Sequence, residues 1–193
     1  MSPVSATAPH LETERLVLRM FREGDFEAYA RIGADPDVAR YIGSGLPLTR
    51  QEAWRGLAAH IGHWTLRGYG MFAIEEKATG EFVGRAGFFN PEGWPGFELG
   101  WTLARERWGR GYATEAARRL LDYAFSEMGR DHVISVIQPE NAASIRVAER
   151  IGERLERTTE LSGREVFIYG IDREAWRATV VDRPADFGPA PGS

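Results

Sequence analysis

A glycine-spaced turn, Trp108-Gly109-Arg110-Gly111, runs straight into an amphipathic segment, and no other feature constrains the fold of this chain as strongly. Ala113, Ala116, Ala117, Leu120, Leu121, Ala124, Phe125 and Met128 recur at the helical period, which predicts a helix with one buried face. Arg118, Arg119, Asp122 and Glu127 occupy the other face. The first amides of a helix lack intrahelical acceptors and carry roughly half a positive elementary charge, so such a junction can seat a diphosphate. Gly109 and Gly111 let the main chain approach an anion without a Cβ in the way, and Arg110 adds a fixed cation. Tyr112, Ala113 and Thr114 supply the first helical amides. Taken alone, the segment fits equally well a glycine turn before an ordinary core helix.

Two familiar phosphate motifs are excluded. A Walker-type loop needs a lysine followed by Ser or Thr, and the only lysine, Lys77, precedes Ala78. A dinucleotide fingerprint would place Gly or Ala three residues after Gly111, where Thr114 stands, and would open the first strand-helix unit instead of lying past the middle of the chain. A nicotinamide oxidoreductase is thereby disfavoured.

With 193 residues and 43% apolar content, the chain has the material for one domain with a full core. A net charge of −4 argues against general nucleic-acid binding, which needs a basic excess. The absence of cysteine excludes disulfides and thiolate zinc sites. Residues 1–10 hold neither a basic leader nor an apolar h-region, and no window approaches about eighteen apolar residues. The expectation is a cytoplasmic protein with no membrane or nucleic-acid partner.

Strands are expected at Leu16 to Met20, Met71 to Glu75, Phe82 to Phe89, Phe97 to Leu103, His132 to Ile137 and Glu165 to Ile171. Short helices are expected from Asp25, over Val38 to Ile42, and over Ser144 to Ile151 before Gly152. Thr49-Arg50-Gln51-Glu52 is a capping box that opens a helix whose Trp54, Leu57, Ile61 and Trp64 are expected to be its core face. His60 and His63 share a face of that helix at i and i+3 but have no third ligand nearby, so they are expected to face solvent, with no metal. Arg173 to Arg177 suits a further helical turn. The organisation expected is a loose arm over 1–10, one folded domain over 11–177 and a Pro/Gly tail over 178–193.

This order of meander, glycine turn, helix, buried strand and then Asn141-Ala142-Ala143-Ser144 before a helix resembles the GNAT superfamily of acyl-CoA N-acyltransferases, most closely its RimJ/RimL-like branch of ribosomal-protein N-acetyltransferases. The resemblance runs from about Leu11 to Trp176. In the family motif of Gln or Arg, two residues, Gly, one residue, then Gly or Ala, Trp108 takes the first place, with Gly111 and Ala113 at the others. Phe97-Glu98-Leu99-Gly100-Trp101-Thr102-Leu103 is similar to the family's fourth strand, Asn141 and Ser144 to its Asn-x-x-Ser, and Arg15-Leu16-Val17-Leu18-Arg19 to its opening strand. The resemblance implies an α/β fold with a mixed, mostly antiparallel central sheet, splayed at strands 4 and 5 and flanked by helices. It also implies a bulge in the fourth strand that opens a slot for pantetheine near Trp101, Thr102 and Leu103.

The activity so implied is transfer of acetyl from acetyl-CoA, a co-substrate, to a primary amine, with no metal. The leading acceptor is a protein or peptide N-terminal α-amine; a small-molecule amine or antibiotic, or a CoA-binding module without turnover, stands as the alternative. Glu98 is the candidate base, directly or through water. A strand N–H near Trp101 or Thr102 is the candidate oxyanion donor. Ser144 or Tyr169 could protonate the leaving thiolate, although Ser144 equally suits a plain N-cap. Asn141 is expected to contact the coenzyme, although Asn after Pro139 also suits a turn, and Trp101 could line the acceptor pocket. Assembly is left open, a homodimer included.

Overall fold

The computed structural model describes residues 9–181, which build one eight-stranded sheet with helices on both faces. The strands lie in the order β1 (Leu11–Glu12), β2 (Leu16–Arg19), β3 (Met71–Glu76), β4 (Phe82–Phe89), β5 (Glu98–Leu103), β6 (His132–Ile137), β8 (Arg164–Asp172) and β7 (Arg154–Leu161). Only the β5–β6 pair is parallel. This is the mixed, mostly antiparallel α/β architecture expected from the sequence. The expected loose arm and tail fall mostly outside the described residues.

Side chains alternate across a strand, so neighbours in β3 feed different cores. Phe72 and Ile74 meet Leu16, Leu18, Phe88 and Leu99 and the buried stripe of α4 (Tyr112–Asp122), namely Ala116, Ala117, Leu120 and Leu121. Met71 and Ala73 meet Tyr29 and Ala30 of α1 (Phe26–Gly33), and Ala53 and Leu57 of α3 (Arg50–Arg67). Between α1 and α3 lies the single turn α2 (Pro36–Ala39), capped by Asp35, whose carboxylate accepts from the Asp37 amide at 2.8 Å. On the α4 side follow α5 (Ala142–Ile151) and α6 (Arg173–Val181), the latter longer than the single turn expected. Its Trp176 joins the α4 core, and α4 itself passes into a π turn over Tyr123–Glu127 that keeps Ala124 and Phe125 buried.

Three expectations are corrected. The capping box at Thr49 and Glu52 forms, but α3 buries Ala53, Leu57, His60, His63 and Trp64, while Trp54 is 50% and Ile61 36% exposed. His60 and His63 therefore do not face solvent: their rings stack on Phe21 and Phe89 at 5.5 and 5.3 Å, apolar partners that a polar residue name conceals. Second, β7 was not expected. Third, the splay forms without a bulge in β5, whose register with β4 is unbroken from Gly84↔Leu103 to Phe89↔Glu98. The sheet opens because β6 keeps β8 along its whole length and touches β5 at one registered pair, Glu98↔Ile134.

Candidate active site

The turn before α4 holds its glycines in the left-handed region, Gly109 at φ 75° and Gly111 at φ 82°, where an L side chain is strained. Gly111 is the N-cap and has no side chain to cap with. The Glu115 amide is the first in the helix to bond back, to Gly111 O at 3.0 Å, and the amides of residues 109–114 donate to nothing among the described residues. The turn is nonetheless held rigidly. Arg15 Nε donates to Glu115 Oε2 at 2.7 Å, and its Nη1 donates to Arg110 O at 3.0 Å. The Tyr112 hydroxyl donates to Glu76 and helps to hold that carboxyl below the usual range. Arg110 Nη1 lies 3.9 Å from Glu76, so its charge is shared. Donors fixed in this way are ready for an anion without further ordering.

Ala104 N–H donates to Val83 O at 2.9 Å; by antiparallel alternation Gly100 and Thr102 also turn their main-chain groups to β4, and Leu99, Trp101 and Leu103 turn theirs toward β6. Several of the latter are already engaged. Leu99 O accepts from Ser135 Oγ at 2.8 Å, and Leu103 O accepts from Trp108 Nε1 at 3.0 Å. Past the one β5–β6 pair, Trp101 presents its N–H and C=O to an open edge. Of the two residues considered as oxyanion donors, Trp101 has the suitable orientation, whereas the Thr102 amide points at β4.

Edge and helix terminus share one cleft of about 590 Å³. Its lining includes Trp101, Thr102, Leu103, Gly109, Gly111, Tyr112, Ala113, Thr114, Asn141 and Ser144, which is every expected site residue except Arg110, Glu98 and the alternative acid Tyr169. Asn141 is the N-cap of α5: its Oδ1 accepts from the Ser144 amide at 3.1 Å. Ser144 lies in the first turn and is not itself the cap. Tyr169 sits on β8 opposite Ser135, buried against Ile137 and Ala148 and away from the cleft lining. The cleft also gathers cations that sequence spacing did not reveal, since Arg40 follows α2, Arg107 lies in the turn over Arg105–Arg107, and Arg146 and Arg150 both stand on α5. Trp108, with its Leu103 bond, was a motif position without an assigned contact.

Glu98 stands at the apex of the splay, where β5 and β6 still pair. Trp94 Nε1 donates to its Oε2 at 2.6 Å and the Val136 amide donates to the same carboxyl, yet burial outweighs both and pushes it up to about 7. At 3.3 Å per residue, Trp101 lies about 10 Å further along the strand, so an extended arm in the slot brings its far end to this carboxyl. Behind it, Glu153 is 2% exposed; its Oε1 lies 3.0 Å from Ser135 Oγ, and burial pushes it up to about 8.

A family model described as acetyltransferase (GNAT) domain matches residues 15–154. YkkB, an uncharacterized protein of Bacillus subtilis (strain 168), is 38% identical over 168 residues, covering 82% of this chain and 93% of its own length. The crystal structure of an acetyltransferase from Agrobacterium tumefaciens str. C58 superposes with a TM-score of 0.77 at 36% identity, covering 86% of this chain and 95% of that one. RimL, described as a ribosomal L7/L12 α-N-protein acetyltransferase and solved in complex with coenzyme A, shares the fold at a TM-score of 0.73 and 19% identity, over 86% of this chain and 99% of its own.

Proposed function

This chain belongs to the GNAT acetyltransferase family, and on that footing we propose that it acetylates the α-amine of a protein or peptide N-terminus. Family membership makes it an acetyl-CoA-dependent N-acetyltransferase; the acceptor and the residue roles are our reading. One observation carries it: unpaired amides at 109–114 and the open Trp101 edge line a single cleft that leads toward Glu98. The amides hold the diphosphate, Arg110 adds from beside the cleft a charge that it shares with Glu76, Asn141 closes the cleft at the N-cap of α5, and Trp101, Thr102 and Leu103 line the pantetheine path. Trp101 N–H and C=O pair with the arm as an added strand would.

At the apex, the amine nitrogen attacks the thioester carbonyl carbon to give a tetrahedral oxyanion, which collapses as the C–S bond breaks. Glu98 takes the ammonium proton. A base near 7 lies within about one unit of an α-ammonium at about 7.7–8.0, but more than three units below a lysine at about 10.4. At about 1.36 kcal/mol per unit, proton transfer costs about 1 kcal/mol for the first and about 4–5 kcal/mol for the second. That difference favours an N-terminus, the acceptor class in the description of RimL. The thiolate, whose ordinary pKa is near 8.5, needs little help; the second proton, shed by the nitrogen as the intermediate collapses, can reach it through the Ser144 hydroxyl in the first turn of α5.

The test is CoA-thiol release in a screen of N-terminal peptides and small amines. Release with α-amines in preference to side-chain amines supports the reading. Release only with an unrelated small amine overturns the acceptor, and thermal stabilisation by CoA without release from any amine makes the chain a binding module.

A further inference from the structure

Residues opposite one another on antiparallel strands share a sheet face, so the pairs Arg85↔Thr102, Gly87↔Gly100 and Phe89↔Glu98 put Arg85 and Glu98 on the face that carries α1 and α3. Between them Gly100 leaves room for Met71 Cε and Glu98 Oε1, which lie 3.2 and 3.5 Å from where its Cβ would be. Arg85 is half-buried, and among the described residues no carboxylate lies within ion-pair distance of it. Its guanidinium is instead steadied by neutral groups, donating from Nη1 to the Tyr29 hydroxyl at 2.6 Å and to His60 Nε2 at 3.2 Å.

An arginine only donates, so His60 Nε2 accepts and the imidazole proton resides on Nδ1. His60 is 9% exposed, burial keeps it neutral, and that Nδ1–H has no partner among the described residues. Tyr29, Arg85 and Thr102 also line a cavity of about 30 Å³, walled elsewhere by Ile32, Leu48 and Phe82. Val38, Ile42 and Thr102 line both this cavity and the coenzyme cleft. A guanidinium with no carboxylate within ion-pair distance, its charge felt at longer range by Glu98, borders space for one or two water-sized groups beside the reaction cleft and is placed to take an anion, with His60 standing behind it.

We propose that Arg85, supported by Tyr29 and His60, holds a carboxylate of the acceptor, so that the amine acetylated carries a carboxylate close to its nitrogen. The inference rests on the acetyl-transfer reading of the neighbouring cleft. Two sources share the chemistry: the side chain of an Asp- or Glu-initiated peptide, and the α-carboxylate of a free amino acid.

The experiment measures CoA-thiol release with matched pairs, an Asp-initiated against an Asn-initiated tripeptide amide and alanine against alaninamide. The pair that discriminates identifies the source. Expected is a preference of about tenfold in kcat/KM for the carboxylate member, expressed in KM, the scale of a charge-assisted bond. Arg85→Gln is expected to abolish the preference and Arg85→Lys to retain part of it. In parallel, the N-acetylated carboxylate product with CoA is tested for thermal stabilisation of wild type and Arg85→Gln. Turnover without preference in either pair, or a preference that survives Arg85→Gln, overturns the inference and leaves acetyl transfer standing. Product binding that depends on Arg85, with no release from any amine, supports the anion receptor while acetyl transfer fails; absence of both overturns both.

Discussion

At Glu98, enclosure and hydrogen bonding pull in opposite directions, and the balance leaves a carboxyl that titrates where catalysis happens. Trp94 and the Val136 amide stabilise its anion, but enclosure costs more, and the group settles at about 7. A base must be ionised to act, so kcat/KM is expected to rise with pH through about 7 and to fall on the acid side. Glu98→Gln is expected to remove that limb and lower kcat about 100-fold, the lower range for a general base, while CoA still raises the melting temperature because Glu98 does not line the cleft. An unchanged limb would assign the base elsewhere. Glu153 shows the same conflict without a catalytic position. The one proton of Ser135 Oγ serves Leu99 O, so a bond between Ser135 and Glu153 requires the carboxyl to donate, which agrees with a group pushed up to about 8. Its folded pKa exceeds an unfolded value of about 4.3, so between about 4.3 and about 8 the native state keeps a proton that the unfolded state releases. Stability from this group therefore falls as pH rises. Glu153→Gln keeps a donor for Ser135 and removes the dependence; denaturant melts are expected to show the variant gaining at least about 1 kcal/mol on wild type between pH 5 and pH 7.5.

Within single elements, the turn into α4 converts backbone shape into binding. Gly111 sits at φ 82°, and a Cβ there would meet only Arg15 Nη2 at 3.5 Å, so Gly111→Ala is strained by its backbone and not by crowding. The expected cost is about 1–2 kcal/mol of stability. Relaxing that strain tilts the amides of 109–114, and CoA affinity is expected to drop about tenfold by calorimetry, the equivalent of about 1.4 kcal/mol. Unaltered affinity would mean that the diphosphate rests elsewhere. These donors were legible in the sequence because glycine spacing and a 3.6-residue period are local. The cationic wall was not, since Arg40, Arg146 and Arg150 converge only after folding. Strand β7 escaped notice because Arg-Leu-Glu-Arg-Thr-Thr-Glu-Leu is an exposed edge with no apolar alternation, well guarded by charge. In α3 the helix was legible from its capping box, but its rotation was not: Trp54 covers Phe26 from outside at 5.3 Å, while two histidines take buried positions expected of tryptophan and isoleucine.

Across the whole molecule, the sheet is two half-sheets hinged at one point. β1–β5 form one and β6, β8 and β7 the other, joined by the Glu98↔Ile134 pair, the Ser135–Leu99 bond and the Val136 amide on Glu98. That slot is where a strand ladder would otherwise continue, so binding capacity is obtained by leaving main-chain groups unpaired, at a cost in cohesion between the halves. A ligand that pairs with the Trp101 edge and rests on the α4 amides spans the weak join. Hydrogen exchange reads this directly: in the free protein β6 and β8 are expected to exchange as a unit ahead of β3 and β4, whose side chains lie in both cores. CoA at about 100 times its Kd adds about 2.7 kcal/mol against openings that destroy the site, so exchange in β6 and β8 is expected to slow about 100-fold. The amides of 112–114, which donate to nothing among the described residues, should become protected at the same coenzyme concentration. Uniform exchange over the sheet, with β6 and β8 indifferent to CoA, would show that the coenzyme does not bridge the halves and that the splay is not its seat.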